Sequence, residues 1–85
     1  MHYSYKPEGV CSTRIEFDIE NGKLHNVTYQ NGCSGNLQAI GRLVEGMDAH
    51  SVVKTLRGVQ CGFKATSCSD QLARAVEAAI EEGAN

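Results

Sequence analysis

The dipeptide Asn21-Gly22 constrains this chain more than any other feature, because it stands between two stretches that alternate apolar and polar residues. Both residue types accept the positive φ that a tight hairpin needs, so Asn-Gly in this setting is a strong turn signal. Before it, Thr13, Ile15, Phe17 and Ile19 share one face, and Arg14, Glu16, Asp18 and Glu20 share the other. That period of two predicts a half-buried antiparallel strand with a solvated charged face. The partner strand is expected over Lys23 to Gln30. A two-residue loop would set Phe17 opposite Asn26 and turn Val27 and Tyr29 toward the face of Arg14 and Glu16, separating the apolar sets. The sequence therefore favours a three-residue loop, Glu20-Asn21-Gly22, with a left-handed Gly22 and a bulge beside it. This loop gathers Ile15, Phe17, Val27 and Tyr29 on one face and leaves Leu24 outward.

Around this hairpin the other elements follow from local signals. Tyr3 and Tyr5 alternate before Pro7 and Gly9, which predicts a short edge strand and a turn. After Cys33 the period becomes helical, with Ser34 as N-cap, Leu37, Ile40, Leu43, Val44 and Met47 in step, and Gly46 as the stop. Asp48 caps a shorter helix whose Val52, Val53 and Leu56 face the core and which Gly58 ends. Ser67-x-x-Asp70 reads as the capping box of a last helix, striped with Leu72, Ala73, Val76, Ala79 and Ile80. The fold class is α+β: a small antiparallel sheet of about three strands with about three helices on one face.

An 85-residue chain supports one domain, and a core this small is expected to need a staple. The net charge of −2 is spread along the chain, against the clustered Lys and Arg of a nucleic-acid surface. No apolar run is long enough to cross a bilayer, and the start, Met1-His2-Tyr3-Ser4-Tyr5-Lys6, lacks the apolar core of a signal peptide. A cytoplasmic location follows as an expectation. There, cysteines serve as ligands or reactive thiols more often than as structural disulfides.

The four cysteines, Cys11, Cys33, Cys61 and Cys68, each fall at the end of an expected element rather than on an apolar stripe. Ends of elements can converge at one edge of a small sheet. Cys33 and Cys68 also precede or open helices, where free N–H groups favour a thiolate, the form that binds metal. Gly32, Gly35 and Gly62 would let the backbone approach a metal–sulfur centre closely. A four-thiolate metal site is the preferred reading, with zinc as the default ion, though the same ligands would hold an iron–sulfur cluster. A reversible Cys61–Cys68 dithiol, four inert thiols and two structural disulfides are the competing readings. His2, His25 and His50 are assigned to the surface or to packing. No phosphate loop, dinucleotide fingerprint or catalytic triad is present, and little volume remains for a substrate pocket. An accessory module is therefore expected, not a complete enzyme.

The segment Thr66-Ser67-Cys68-Ser69-Asp70 resembles the motif of the TSCPD domain, with Ser69 where that motif has Pro. With Gly32-Cys33-Ser34-Gly35-Asn36 and the four-cysteine pattern, the chain resembles the small stand-alone bacterial members of that family. The resemblance implies kinship with a C-terminal domain of class II, adenosylcobalamin-dependent ribonucleotide reductases, and hence a redox enzyme as partner. A more distant likeness is to IscU/NifU-type iron–sulfur scaffolds, whose three cysteines match Cys11, Cys33 and Cys68 in order and context. Thr13 stands where those scaffolds carry an aspartate and Ser67 where they carry a histidine, with Cys61 as an added ligand. That set of residues implies a retained metal rather than a transferred cluster.

Overall fold

The computed structural model describes residues 2–10, 12–31, 34–59 and 67–83. In chain order its elements are β1 (His2–Tyr5), β2 (Arg14–Glu20), β3 (Lys23–Gln30), α1 (Ser34–Val44), α2 (Ala49–Leu56) and α3 (Cys68–Glu81). The strands form one antiparallel sheet in the order β1-β2-β3, and the helices supply the opposing layer. This is the expected α+β arrangement. Ile15, Phe17 and Ile19 point into a core that they share with Leu24, Val44, Val52, Leu72, Val76 and Ala79. Tyr3 pairs with Phe17 across the strands, and their rings stack with centroids 5.7 Å apart.

The hairpin corrects the expected loop. Glu20 pairs with Lys23 and Ile19 with Leu24, so the loop is the two residues Asn21 and Gly22, with φ of 53° and 76°. Leu24 is fully buried rather than outward. The bulge lies further along: Asp18 pairs with His25 but Glu16 pairs with Thr28, so Asn26 and Val27 together face Phe17. Asn26 has a φ of 56°, a conformation that a short amide side chain tolerates better than most. Its backbone N–H donates to Glu45 Oε1 at 2.8 Å and its side chain donates to Asp18 Oδ2 at 3.0 Å. The extra residue restores the inward phase, so Val27 and Tyr29 join the core after all.

Helix boundaries follow their caps. The helix α1 already includes Ser34, expected just outside it, and Gly46, at φ 78°, turns the chain after it. The Asp48 carboxylate accepts from Ser51 N at 3.1 Å and caps α2. Ser67 caps α3, its hydroxyl accepting from Asp70 N at 3.1 Å. The link between α1 and α2 also bonds to the outer edge of β3, through Leu24 N to Met47 O and Gly46 N to Leu24 O. That contact covers part of an edge that would otherwise be open to pairing. Gly41 brings α1 close to β3: a Cβ there would lie 2.9 Å from the Val27 carbonyl oxygen.

Candidate functional site

Cys68 is the first residue of α3 and is partly buried. The other three cysteines, Cys11, Cys33 and Cys61, lie outside the described residues, as do Gly32 and Gly62. Among the described residues, no group of three or more His, Cys, Asp and Glu side chains is placed to hold a metal ion. Cys68 and the described neighbours of the other cysteines outline the candidate site.

One of those neighbours touches Cys68 directly. Ser12, next to Cys11, is 3% exposed and its hydroxyl lies 3.5 Å from Cys68 Sγ. Tyr29, near the end of β3, donates its hydroxyl to the Cys68 carbonyl at 3.0 Å. Burial, and then the charge of a Cys68 thiolate, push the Tyr29 hydroxyl well above its ordinary range, so it stays a donor. Thr13 N donates to Gln30 O at 2.8 Å, and the Asn31 side chain donates to Thr13 Oγ1 at 2.9 Å. The start of β2 and the end of β3 are thus tied together two residues short of Cys11 and Cys33 respectively. On the other side, the Ser67 hydroxyl donates to the Val59 carbonyl at 2.6 Å. That bond joins the two described ends of the segment that carries Cys61.

A buried carboxylate stands beside this meeting point. Asp70 is fully enclosed, and its oxygens accept from Gly58 N–H at 2.7 Å and from Arg74 Nε at 2.8 Å, with Arg57 Nε at 3.8 Å. Gln71, also buried, accepts from Glu8 N–H at 3.1 Å and ties the N-terminal segment to α3. Sequence reasoning took Asp70 for a capping-box acid and passed over Ser12 and Tyr29. The arginine four residues after Asp70, and a serine directly after Cys11, were the signals available.

The histidines lie where packing and surface roles put them. His2 bridges Glu16 Oε1 at 3.0 Å and Asp18 Oδ1 at 2.9 Å across the outer face of the sheet. Glu16 first, then Asp18, hold its pKa above the ordinary value, while Asn26 and then His2 hold Asp18 below its own. His25 meets Glu45 Oε2 at 2.7 Å, and His50 is exposed on α2. Glu45 is held low by the Asn26 N–H and then by His25. These charged residues brace the outer sheet face and the bulge.

No helix among the described residues is long and apolar enough to cross a membrane. Comparison with curated proteins and with solved structures gives no match. A family model described as the TSCPD domain matches residues 2–80, which takes in every strand, every cysteine and nearly all of α3. With a match over that much of its length, the chain belongs to the TSCPD domain family.

Proposed function

We propose that this domain binds a metal through Cys11, Cys33, Cys61 and Cys68, as zinc or as an iron–sulfur cluster, and serves a redox enzyme as an accessory. The observation that carries this reading is the meeting of Ser12, Tyr29 and the Ser67–Val59 bond at Cys68. Covalent reach supports it. Cys11 adjoins Ser12, so their Cα atoms are ~3.8 Å apart, and Cys33 and Cys61 are each within ~7 Å of Asn31 and Val59. Cys11 and Cys33 are also equally far along the chain from the register pair Arg14 and Gln30, in opposite directions. Four thiolates drawn together suit a closed tetrahedral zinc or a cluster. A zinc ion there would supply folding free energy, and a cluster would supply one-electron transfer. The resemblance of Thr66–Asp70 to the TSCPD motif, which implies kinship with a C-terminal domain of class II ribonucleotide reductases, nominates such an enzyme as the partner.

Metal analysis and a visible spectrum of protein purified without oxygen test the reading. Near-stoichiometric zinc, or iron with colour, is expected, and Cys68→Ser should lower both metal content and Tm. A metal-free protein whose Tm ignores Cys68→Ser would refute it. The Ser67–Val59 bond also favours a second reading, in which Cys61 and Cys68 cycle as a dithiol. Thiol titration in glutathione buffers would then reveal a two-electron couple between them.

A further inference from the structure

Resting on the thiolate site proposed above, we infer that Asp70 is a positioning residue for it: a buried carboxylate that fixes the first turn of α3, and Cys68 with it, against the end of α2. A capping box asks of this helix position only a side chain that reaches back to the N-cap N–H. Asp70 is instead fully enclosed, and a buried charge is costly unless paired and hydrogen-bonded. Its partners show what the burial secures. One oxygen accepts from the Gly58 N–H at 2.7 Å, the other from Arg74 on α3 at 2.8 Å, and Arg57, beside Gly58, approaches at 3.8 Å.

The grip is double. Ser67 takes the Val59 carbonyl at 2.6 Å while Asp70 takes the Gly58 amide, so two residues flanking Cys68 hold two consecutive residues after α2. The Asp70 N–H in turn donates to the Ser67 hydroxyl at 3.1 Å, which locks the two grips together. Gly58 sits at φ 87°, a turn that presents its amide to the carboxylate. Groups that orient ligands in this way typically cost ~10–100-fold in metal affinity when removed. Asp70 acts through the placement of Cys68, by way of the first turn of α3 that both residues share.

The test compares wild type, Asp70→Asn and Asp48→Ala, the last removing the α2 cap without touching the grip. Zinc affinity by chelator competition should fall at least ~tenfold in Asp70→Asn and hold in Asp48→Ala. Equal affinity in all three proteins, or equal losses in both variants, would overturn the inference. If wild type takes up neither zinc nor iron, the metal reading itself fails, and Asp70 is then judged on the metal-free chain alone. There, Gly58 amide exchange and Cys68 alkylation, the latter with the other three cysteines changed to Ser, should both quicken in Asp70→Asn only. If neither quickens, the inference falls. Should Asp70→Asn not fold, Gly58 amide exchange in the unaltered protein decides: strong protection supports the grip, and exchange as fast as in a free turn refutes it.

Discussion

Replacing Gly41 with Ala sets two opposed effects against each other, and the structure decides the sign. A glycine inside a helix is worth ~0.8–1.0 kcal/mol less than alanine, so on propensity alone Gly41→Ala should stabilise α1. The added Cβ, however, would lie 2.9 Å from the Val27 carbonyl oxygen, closer than a carbon and an oxygen can pack. The obstructing atom is backbone in β3, held in the sheet beside the bulge, so it cannot rotate aside as a side chain would. Relief requires α1 to move off the sheet by several tenths of an ångström, and overpacking of this kind costs ~1–3 kcal/mol. The net expectation is a loss of about 1 kcal/mol, which lowers Tm by ~4–8 °C in a domain of this size. Urea titration at fixed pH, checked for an unchanged slope, measures it. A Gly41→Ala protein more stable than wild type by ~0.5 kcal/mol or more would show that α1 does not press on β3 as described.

Leu24→Ala should cost ~2–5 kcal/mol by denaturant titration, because Leu24 is fully buried, while Leu43→Ala, on a side chain 77% exposed, should stay within ~0.5 kcal/mol; similar small losses for both would restore the outward Leu24 of a three-residue loop. The His2 bridge gives a pH dependence. The folded pKa of His2 is raised above 6.5, so its contribution is whole below 6.5 and is lost as pH rises through the raised value. Asp18 is lowered from 3.8, so its contribution is whole above 3.8 and is lost as pH falls through the lowered value. The stability gap between wild type and His2→Gln should therefore be widest between those limits and close as pH rises through the raised value, and a gap independent of pH would contradict the bridge. If the thiolates hold zinc, chelation should unfold much of the domain, since an apparent ~10–16 kcal/mol of binding rivals the stability of a whole domain; an unchanged melting curve after zinc is stripped would exclude a structural ion.

Much of this fold was legible because its signals are local. Alternation over Ile15, Phe17 and Ile19 marked β2, and Asp48 and Ser67 marked the starts of α2 and α3. The hairpin register was not legible, because hydrophobic phase specifies only that one residue is extra, not where it goes. Both the turn and position 26 could absorb it. An asparagine at 26 was the residue able to take positive φ there, but nothing in the apolar pattern distinguishes it from the asparagine at 21. At the site, the ends of elements that carry Cys11, Cys33 and Cys61 could be listed from sequence, whereas the contacts of Ser12 and Tyr29 with α3 span 56 and 39 residues, that of Gly58 spans 12, and all three depend on packing.

The bulge at Asn26 makes the hairpin an odd-even device. Between the turn and residue 25 the facing of side chains is keyed to Asn21-Gly22, and from Val27 onward it is keyed to α3, where the Tyr29 hydroxyl must reach the Cys68 carbonyl. Deleting Asn26 alone would remove the bulge and let regular alternation keep Leu24, Val27 and Tyr29 on one face, with Tyr29 still turned toward Cys68. Deleting Asn26 and Val27 together would leave the turn intact and Leu24 buried, yet under regular pairing send Tyr29 outward and part it from Cys68. Loss of two residues at this point should thus disturb the cysteine end of the molecule more than loss of one, a parity that no count of contacts would foretell.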